Sequence, residues 1–110
     1  MVKALTKKQV ATSVKSLARG WSISPAGTTL VRIFAFPNYL AGFMFVTKIS
    51  IHAEAMNHHP EVLLAYSSVK ISISNHETKA LATIDFNLAC TIDTLYLLST
   101  ANAKPRRLRK

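Results

Sequence analysis

The sequence predicts an α+β domain in which a four-stranded antiparallel sheet carries three helices on one face. Apolar residues recur at helical spacing in three segments of the 110-residue chain. Two pairs of short segments with the composition of strands lie between these helices. The resulting order, helix, two strands, helix, two strands, helix, is typical of strands joined as hairpins with helices segregated to one side of their sheet.

Composition indicates one globular domain, which we place at residues 1–103, followed by a basic tail at 104–110. Hydrophobic residues make up 49% of the chain, which is enough to build a core. No apolar run reaches the roughly 18 residues of a membrane span, so no membrane segment is expected. Cys90 is the only cysteine. It rules out an internal disulfide, fits a reducing compartment such as the cytoplasm, and is expected to be buried.

The charge is strongly unbalanced, with fourteen Lys and Arg against five acids and no acid before Glu54. We interpret this as a basic, solvated surface, which suits an anionic substrate. Nucleic-acid binding is a more specific alternative explanation of the basic charge. We do not expect it, since a terminal basic tail is weak evidence for a specific partner.

The first 19 residues allow two interpretations. They are basic, acid-free and contain Ser and Thr, as mitochondrial transit peptides do. They also fit a first domain helix, which we favour, because Thr6 and Gln9 form a capping box and Gly20 is placed to end the helix. The apolar residues at helical spacing are Val10, Val14 and Leu17.

A hairpin and a long apolar helix follow. Trp21 begins a short strand, residues 25–27 form a turn, and a second strand is predicted for about 29–36. Both faces of that second strand are largely apolar, so we expect cover on both sides. Pro37 then opens a helix to about Met56. Its apolar residues occupy much of its circumference, which predicts an oligomer interface.

Two more strands and a helix complete the domain. Residues 62–66 and 68–74 are predicted strands, 75–80 a loop and 83–98 the last helix. Asp85 lies in the first turn of that helix, where a carboxylate meets the positive end of the helix dipole. The 68–74 strand alternates strictly, and its apolar face is Val69, Ile71 and Ile73.

Three histidines mark the candidate site. His58 and His59 stand together before Pro60, at the end of the long helix, and His76 follows the alternating strand. The strand pair between them can fold His76 back toward His58. Imidazoles that converge in this way suggest proton transfer or metal binding. Glu54, one turn before His58, is expected to lie close to it.

These residues resemble the signature of the pterin-4a-carbinolamine dehydratases. The resemblance extends upstream to Trp21 and the F-A-F segment and covers roughly residues 5–98. An isolated H-H-P would be weak evidence, but its combination with a third histidine and an aspartate at this spacing is specific. The pattern is E-x-x-x-H-H-P beginning at Glu54, then Tyr66, then His76, then Asp85 followed by N-L-A.

The resemblance implies a fold, an assembly and a reaction. It implies a four-stranded antiparallel sheet with three helices on one side, two subunits whose sheets join as a saddle, and homodimers that pair into homotetramers. The substrate would be a 4a-hydroxytetrahydropterin, produced when aromatic amino acid hydroxylases use tetrahydropterin. The enzyme would remove water to give the quinonoid dihydropterin, which is then recycled. It would need no metal and no organic cofactor.

The family match also assigns roles to the residues. His58 and His76 would be the catalytic acid and base, because imidazole exchanges protons near neutral pH, and His59 would bind and orient the pterin. Glu54 would hold one imidazole in a fixed tautomer. Asp85 would orient His76 or cap its own helix. Residues expected to support or line the pocket, with core packing as the alternative for the aromatics, are Pro60, Trp21 and Tyr66.

The chain departs from the family pattern at three positions. A Trp that often follows H-H-P-E is here Val62, and the G-L-T motif before the aspartate is here Ala80, Leu81 and Ala82. Loss of the glycine changes a position where positive φ is favourable. Loss of the threonine removes an N-cap hydroxyl, at a cost of about 1 kcal/mol of helix stability. These changes affect the rim of the pocket and leave the catalytic side chains in place.

Two functions from other classes compete with catalysis. Some members of this family serve as a dimerisation partner of a homeodomain transcription factor, so a non-enzymatic binding module is one alternative. Three histidines also bind zinc in other proteins, which makes a metal site the second alternative. We favour the dehydratase, because a scaffold has no need of all three histidines and adjacent histidines rarely converge on one ion.

Overall fold

The computed structural model describes residues 3–106, with side chains described through residue 100. The elements in chain order are α1 (Lys7–Ser16), β1 (Ser22–Ile23), β2 (Thr29–Ala35), α2 (Tyr39–Met56), β3 (Glu61–Ala65), β4 (Ser68–Ser74) and α3 (Thr83–Arg106). All neighbouring strands pair antiparallel in the order β1-β2-β4-β3, so the predicted α+β class and four-stranded sheet are confirmed. No helix within residues 3–106 has the length and apolar character needed to cross a membrane.

The sheet buries one face and leaves the other open. Val69, Ile71 and Ile73 of β4 are fully buried, whereas Lys70 between them is exposed, as the alternation predicts. On the open face of β2, Ile33 is 63% exposed. The expectation that β2 is covered on both sides is therefore wrong within a single chain, because all three helices pack on the same face.

The segment before the first hairpin forms a capped helix that packs on the core. The predicted capping box is present: Thr6 Oγ1 accepts from the Gln9 N–H at 3.1 Å, and Gln9 Oε1 accepts from the Thr6 N–H at 2.9 Å. The helix ends four residues before Gly20, so the prediction that Gly20 ends it is wrong. Leu17 ends it instead, because it turns into an extended conformation and packs against the core.

The long helix α2 approaches the sheet closely and exposes its outer side. Its N-cap is Asn38, whose Oδ1 accepts from the Ala41 N–H at 2.9 Å, so Pro37 precedes the helix instead of opening it. Gly42 permits the close approach, since a Cβ there would lie 3.1 Å from Leu64 Cδ1. The large outward residues of α2, each more than half exposed, are Tyr39, Leu40, Phe43, Met44 and Ile51.

Three details in the second half of the chain differ from the prediction. β3 begins and ends one residue earlier than expected, which places Tyr66 in the turn before β4. α3 continues to Arg106, beyond the predicted end near Leu98 and into the segment predicted as a tail, whose residues 107–110 lie outside the described part of the chain. Cys90 on α3 is exposed, so the expectation of a buried thiol is wrong.

A polar cluster lies inside the core, between α3 and the sheet. The Trp21 indole N–H and Arg32 Nη1 both donate to Asp93 Oδ1 at 2.8 Å. The Arg32 guanidinium also lies over the Phe34 ring, 4.3 Å from its centroid. Gly20 makes room for it, since a Cβ at that left-handed position would lie 2.8 Å from Arg32 Nε. Burial raises the pKa of Asp93, and the Trp21 hydrogen bond and the Arg32 charge only partly oppose this.

Candidate active site

The end of α2 sends the two adjacent histidines in different directions. Asn57 adopts a left-handed conformation with φ 52°, and the His58 N–H donates back to the Ala53 carbonyl at 3.0 Å. Pro60 then favours an extended entry into β3. The helix ends at Met56, as predicted, and His58 and His59 diverge, since their imidazoles contact different carboxylates.

His58 is paired with a carboxylate that has no contact with solvent. Its Nε2 lies 2.6 Å from Asp85 Oδ1, and the His58 side chain is only 13% exposed. Asp85 is 0% exposed. A carboxylate accepts hydrogen bonds, so the neutral imidazole carries its proton on Nε2 and presents the lone pair of Nδ1. This bond defines the tautomer of His58.

The first turn of α3 holds the Asp85 carboxylate next to His58. Its second oxygen, Oδ2, accepts from the Ala82 backbone N–H at 2.7 Å, so the predicted helix-terminal role of Asp85 is confirmed. The Leu5 N–H donates to the Leu81 carbonyl at 2.9 Å, which ties the chain before α1 to the same turn. The predicted partner of Asp85 was His76, and the structure assigns that place to His58 instead.

His59 forms a second pair with a carboxylate, and this one is open to solvent. Its Nε2 lies 2.7 Å from Glu54 Oε1, and the two side chains are 57% and 81% exposed. Glu54 was expected to lie close to His58. It contacts His59 because the left-handed turn at Asn57 aims the His58 ring at α3 and leaves His59 beside the last turn of α2. An exposed pair of this kind contributes little to stability.

His76 lies at the same end of the sheet as the other two histidines. Glu61, the first residue of β3, pairs with Ser72, two residues before the end of β4, so the segment before β3 and the segment after β4 meet at one end of the sheet. His76 is the second residue after β4 and is exposed. The strand pair therefore places His76 at the same end of the sheet as His58, and the close approach of the two side chains stays a prediction.

Asn75 is a functional candidate that the sequence analysis missed. It is 7% exposed, and its Oδ1 accepts from the N–H groups of Glu77 and Thr78 at 3.0 and 3.2 Å. This Asx-turn shapes the backbone immediately after His76. The signal was present in the sequence as an asparagine at a strand end, which is a common start for such a turn.

Two of the three predicted supporting residues, Trp21 and Tyr66, lie away from the histidines. The third, Pro60, directly follows His59 in the chain and is half-buried. Trp21 is buried and its indole N–H bonds Asp93, so it belongs to the core. Tyr66 is 79% exposed at the tip of the β3–β4 hairpin. That tip is seven residues beyond His59, or roughly 20 Å along the strand.

Metal ligands do not assemble within residues 3–106. No group of three or more His, Cys, Asp or Glu side chains in that part of the chain is arranged to hold an ion. The geometry explains this, because His58 and His59 face different carboxylates on different helices.

The sequence matches the model of one protein family over residues 3–95, and that family is the pterin 4 alpha carbinolamine dehydratases. This chain belongs to that family. A relative from Rhizobium etli, assigned by name to the pterin-4-alpha-carbinolamine dehydratases, is 34% identical over 82% of this chain and 81% of its own length. One from Burkholderia multivorans with the same assignment is 33% identical over 96% of this chain and 98% of its own.

Solved structures support the fold. A protein from Brucella melitensis described as a transcriptional coactivator/pterin dehydratase superposes with a TM-score of 0.81. It is 23% identical and the match covers 86% of this chain and 99% of that one. A pterin dehydratase-like protein described as a RuBisCO assembly factor in the alpha-carboxysome gives a TM-score of 0.62 at 20% identity, over 71% and 90% of the two chains. At these identities the likeness concerns the fold alone.

The structure accounts for the two departures from the family motif in the loop before α3. In the loop before α3, Lys79 is the residue with a left-handed backbone, with φ 56°. Ala80, which replaces the family glycine, does not need that conformation. Ala82 lacks an N-cap hydroxyl, but its own N–H is satisfied by Asp85. The residue that orients His58 therefore also stabilises the start of α3.

Proposed function

We propose that this protein removes water from a 4a-hydroxytetrahydropterin to give the quinonoid dihydropterin, in the recycling of tetrahydropterin. The observation that supports this most is the pair of His58 with the buried Asp85, at a sheet end shared with His59 and His76. Membership of the dehydratase family supports the same reaction.

The reaction breaks the C4a–O bond and the N5–H bond and forms a C4a–N5 double bond. One proton must reach the leaving hydroxyl, and another must leave N5, so an acid and a base are needed. His58, with Nδ1 free and Nε2 bonded to Asp85, is suited to take the N5 proton. The carboxylate stabilises the imidazolium that this step creates.

His76 is then the candidate acid for the leaving hydroxyl. It lies on the exposed loop that follows β4, so it approaches the pterin from a different element than His58 does. His59 is exposed and its Nε2 is bonded to Glu54, which suits binding and orientation of the substrate better than proton transfer. Replacing His59 with Ala should therefore mainly raise KM.

We also propose that the protein is a homo-oligomer. Five large apolar side chains on α2 are more than half exposed, and a surface of this kind on one helix is typical of a subunit interface. Light scattering at micromolar concentration should give a mass of at least twice 12.1 kDa. A monomer at that concentration would contradict the proposal.

The direct test is turnover of freshly generated 4a-hydroxytetrahydropterin by the purified protein. His52→Ala is a matched control for the histidine variants, because His52 is an exposed histidine on α2 without a place in the site. We expect turnover to survive exhaustive chelation, since the proposed steps use protons alone. Turnover that vanished with chelator and returned with zinc would favour the metal site. A stable oligomer with no turnover would favour the binding module.

A further inference from the structure

The three histidines of the candidate site are held in different ways. The His58 ring bonds the Asp85 carboxylate at 2.6 Å. The His59 ring bonds the Glu54 carboxylate at 2.7 Å. His76 is exposed, and among the described residues no hydrogen bond or ion pair holds its ring. The position of the His76 imidazole must therefore be set through its backbone.

Asn75 fixes the backbone on both sides of His76. Its Oδ1 accepts from the N–H groups of Glu77 and Thr78, at 3.0 and 3.2 Å. Its carbonyl oxygen accepts from the Lys79 N–H at 2.8 Å. The ring that the Asn75 side chain closes with the Glu77 N–H contains the backbone of His76. Three successive N–H groups thus converge on one residue, and His76 lies inside the turn that they close.

Asn75 is itself anchored to the core. It directly follows β4, in which Ile73 is fully buried, and is only 7% exposed. The turn therefore takes its position from the sheet. Once the backbone of His76 is fixed, only the side-chain torsions of the imidazole stay free, which lowers the entropy lost when the ring is placed against a substrate.

We propose that Asn75 is a positioning residue, which places the His76 imidazole for proton transfer to the leaving hydroxyl by closing a turn around the His76 backbone. The role of His76 in that step rests on the proposed function. Catalysis by a positioned group is sensitive to small displacements, since a shift of about 1 Å costs up to about a hundredfold in rate. Asn75 thus does for His76 through the backbone what Asp85 does for His58 through a side chain.

Two substitutions of similar size separate the acceptor of Asn75 from its packing. Asn75→Asp keeps an oxygen that accepts from both N–H groups, whereas Asn75→Leu keeps the volume and removes the acceptor. We expect Asn75→Leu to lower kcat about tenfold with little change in KM, the pattern of an interaction that matters in the transition state. Asn75→Asp should keep kcat near the wild-type value. An equal loss of kcat in the two variants would overturn the proposal.

Thr78→Val is the matched control in the same loop. Thr78 Oγ1 donates to the Ala80 carbonyl and accepts from the Ala80 N–H, so these bonds close around Lys79 and leave His76 outside. Valine removes both bonds and keeps the Thr78 N–H that donates to Asn75. The kcat of Thr78→Val should be normal. A loss as large as that of Asn75→Leu would assign the effect to general loosening of the loop and contradict the proposal.

A double-mutant cycle tests whether Asn75 acts through His76. In a His76→Ala background, Asn75→Leu should cause no further loss of kcat, because no imidazole is left to place. A second loss as large as the one in the wild-type background would show that Asn75 acts independently of His76, and the positioning role would be wrong.

Backbone ¹⁵N relaxation separates this proposal from the proposed function, since it needs no turnover. The order parameter of the His76 N–H should be about 0.85 in the wild type and in Asn75→Asp, and should fall below about 0.6 in Asn75→Leu. Absence of turnover in a wild type with this pattern would contradict the dehydratase and support the placement of His76 by Asn75. An equally ordered His76 in all three proteins would overturn that placement.

Discussion

The last helix buries two carboxylates eight residues apart, Asp85 and Asp93, and surrounds them differently. Asp85 holds His58, whose imidazole has two nitrogens that can each donate or accept a hydrogen bond. Asp93 holds Trp21 and Arg32, whose N–H groups only donate. Burial and hydrogen bonding are similar in the two places, so the chemistry of the partner decides what each carboxylate can do.

The comparison separates the candidate site from a cluster in the core. The His58 side chain remains 13% exposed, and its pair with Asp85 therefore lies at the surface end of the core. The Arg32 guanidinium is packed over Phe34 and Tyr96 and is fully engaged. Burial in the core raises the pKa of Asp93, which lies outside the candidate active site. A search for perturbed pKa values alone would therefore select Asp93 and miss His58.

The largest expected effect is on stability and comes from changing Asp93. Asp93→Ala leaves the partly buried Arg32 guanidinium, 15% exposed, without its carboxylate and should cost about 3 kcal/mol of unfolding free energy, the lower end of the range for a buried pair. Urea unfolding measures this, and the folded fraction should keep its normal turnover. Replacing Arg32 and Asp93 together by apolar residues should cost less than the single change. A single variant as stable as the wild type would show that the cluster is dispensable.

The next largest effect is on catalysis and comes from changing the histidines of the candidate site. His58→Ala or His76→Ala should lower kcat by about a hundredfold, or roughly 2.7 kcal/mol of transition-state stabilisation. The double variant should be worse than either, because water partly replaces one missing imidazole. Stopped-flow turnover checks this against His52→Ala, which should behave as wild type. Near-normal kcat in both folded single variants would remove the acid–base assignment.

A smaller effect distinguishes the two carboxylates directly. Asp85→Asn should lower kcat by at least about tenfold, because the amide can donate to His58 Nε2 and so favours the tautomer in which Nδ1 holds the proton. Asp93→Asn is the matched change on the same helix and should leave the kcat of the folded protein unchanged. An equal loss of kcat in the two variants would contradict a specific role of Asp85 in catalysis.

The smallest effect is the pH dependence of stability at Asp93. Its pKa is raised in the folded protein above the ordinary value of 3.8, so the native state holds this proton more tightly than the unfolded state. The contribution of Asp93 to stability is therefore largest below the unfolded pKa and falls as pH rises through the folded pKa. Unfolding across acidic to neutral pH should show the wild type losing stability relative to Asp93→Asn, and a gain would contradict the direction.

Much of the fold was predictable from local patterns. The capping box at Thr6, the end of α2 near Asn57 and the alternation of β4 depend on residues within a few positions of one another. The errors at Gly20 and Pro37 have one cause. In both cases a neighbouring residue sets the helix boundary. Leu17 ends α1 because it packs against the core, and Asn38 begins α2 because its side chain caps the helix.

The sequence by itself determined the family, the order of elements and the three histidines at one end of a strand pair, because spacing along the chain carries this information. Tertiary structure decided which carboxylate meets which imidazole, since the His58–Asp85 contact spans 27 residues and a left-handed turn at Asn57 redirects the ring. It also placed Trp21 on Asp93, 72 residues away, and Tyr66 in the exposed turn between β3 and β4. Contacts of this range follow from how helices and sheet pack, which no local pattern specifies.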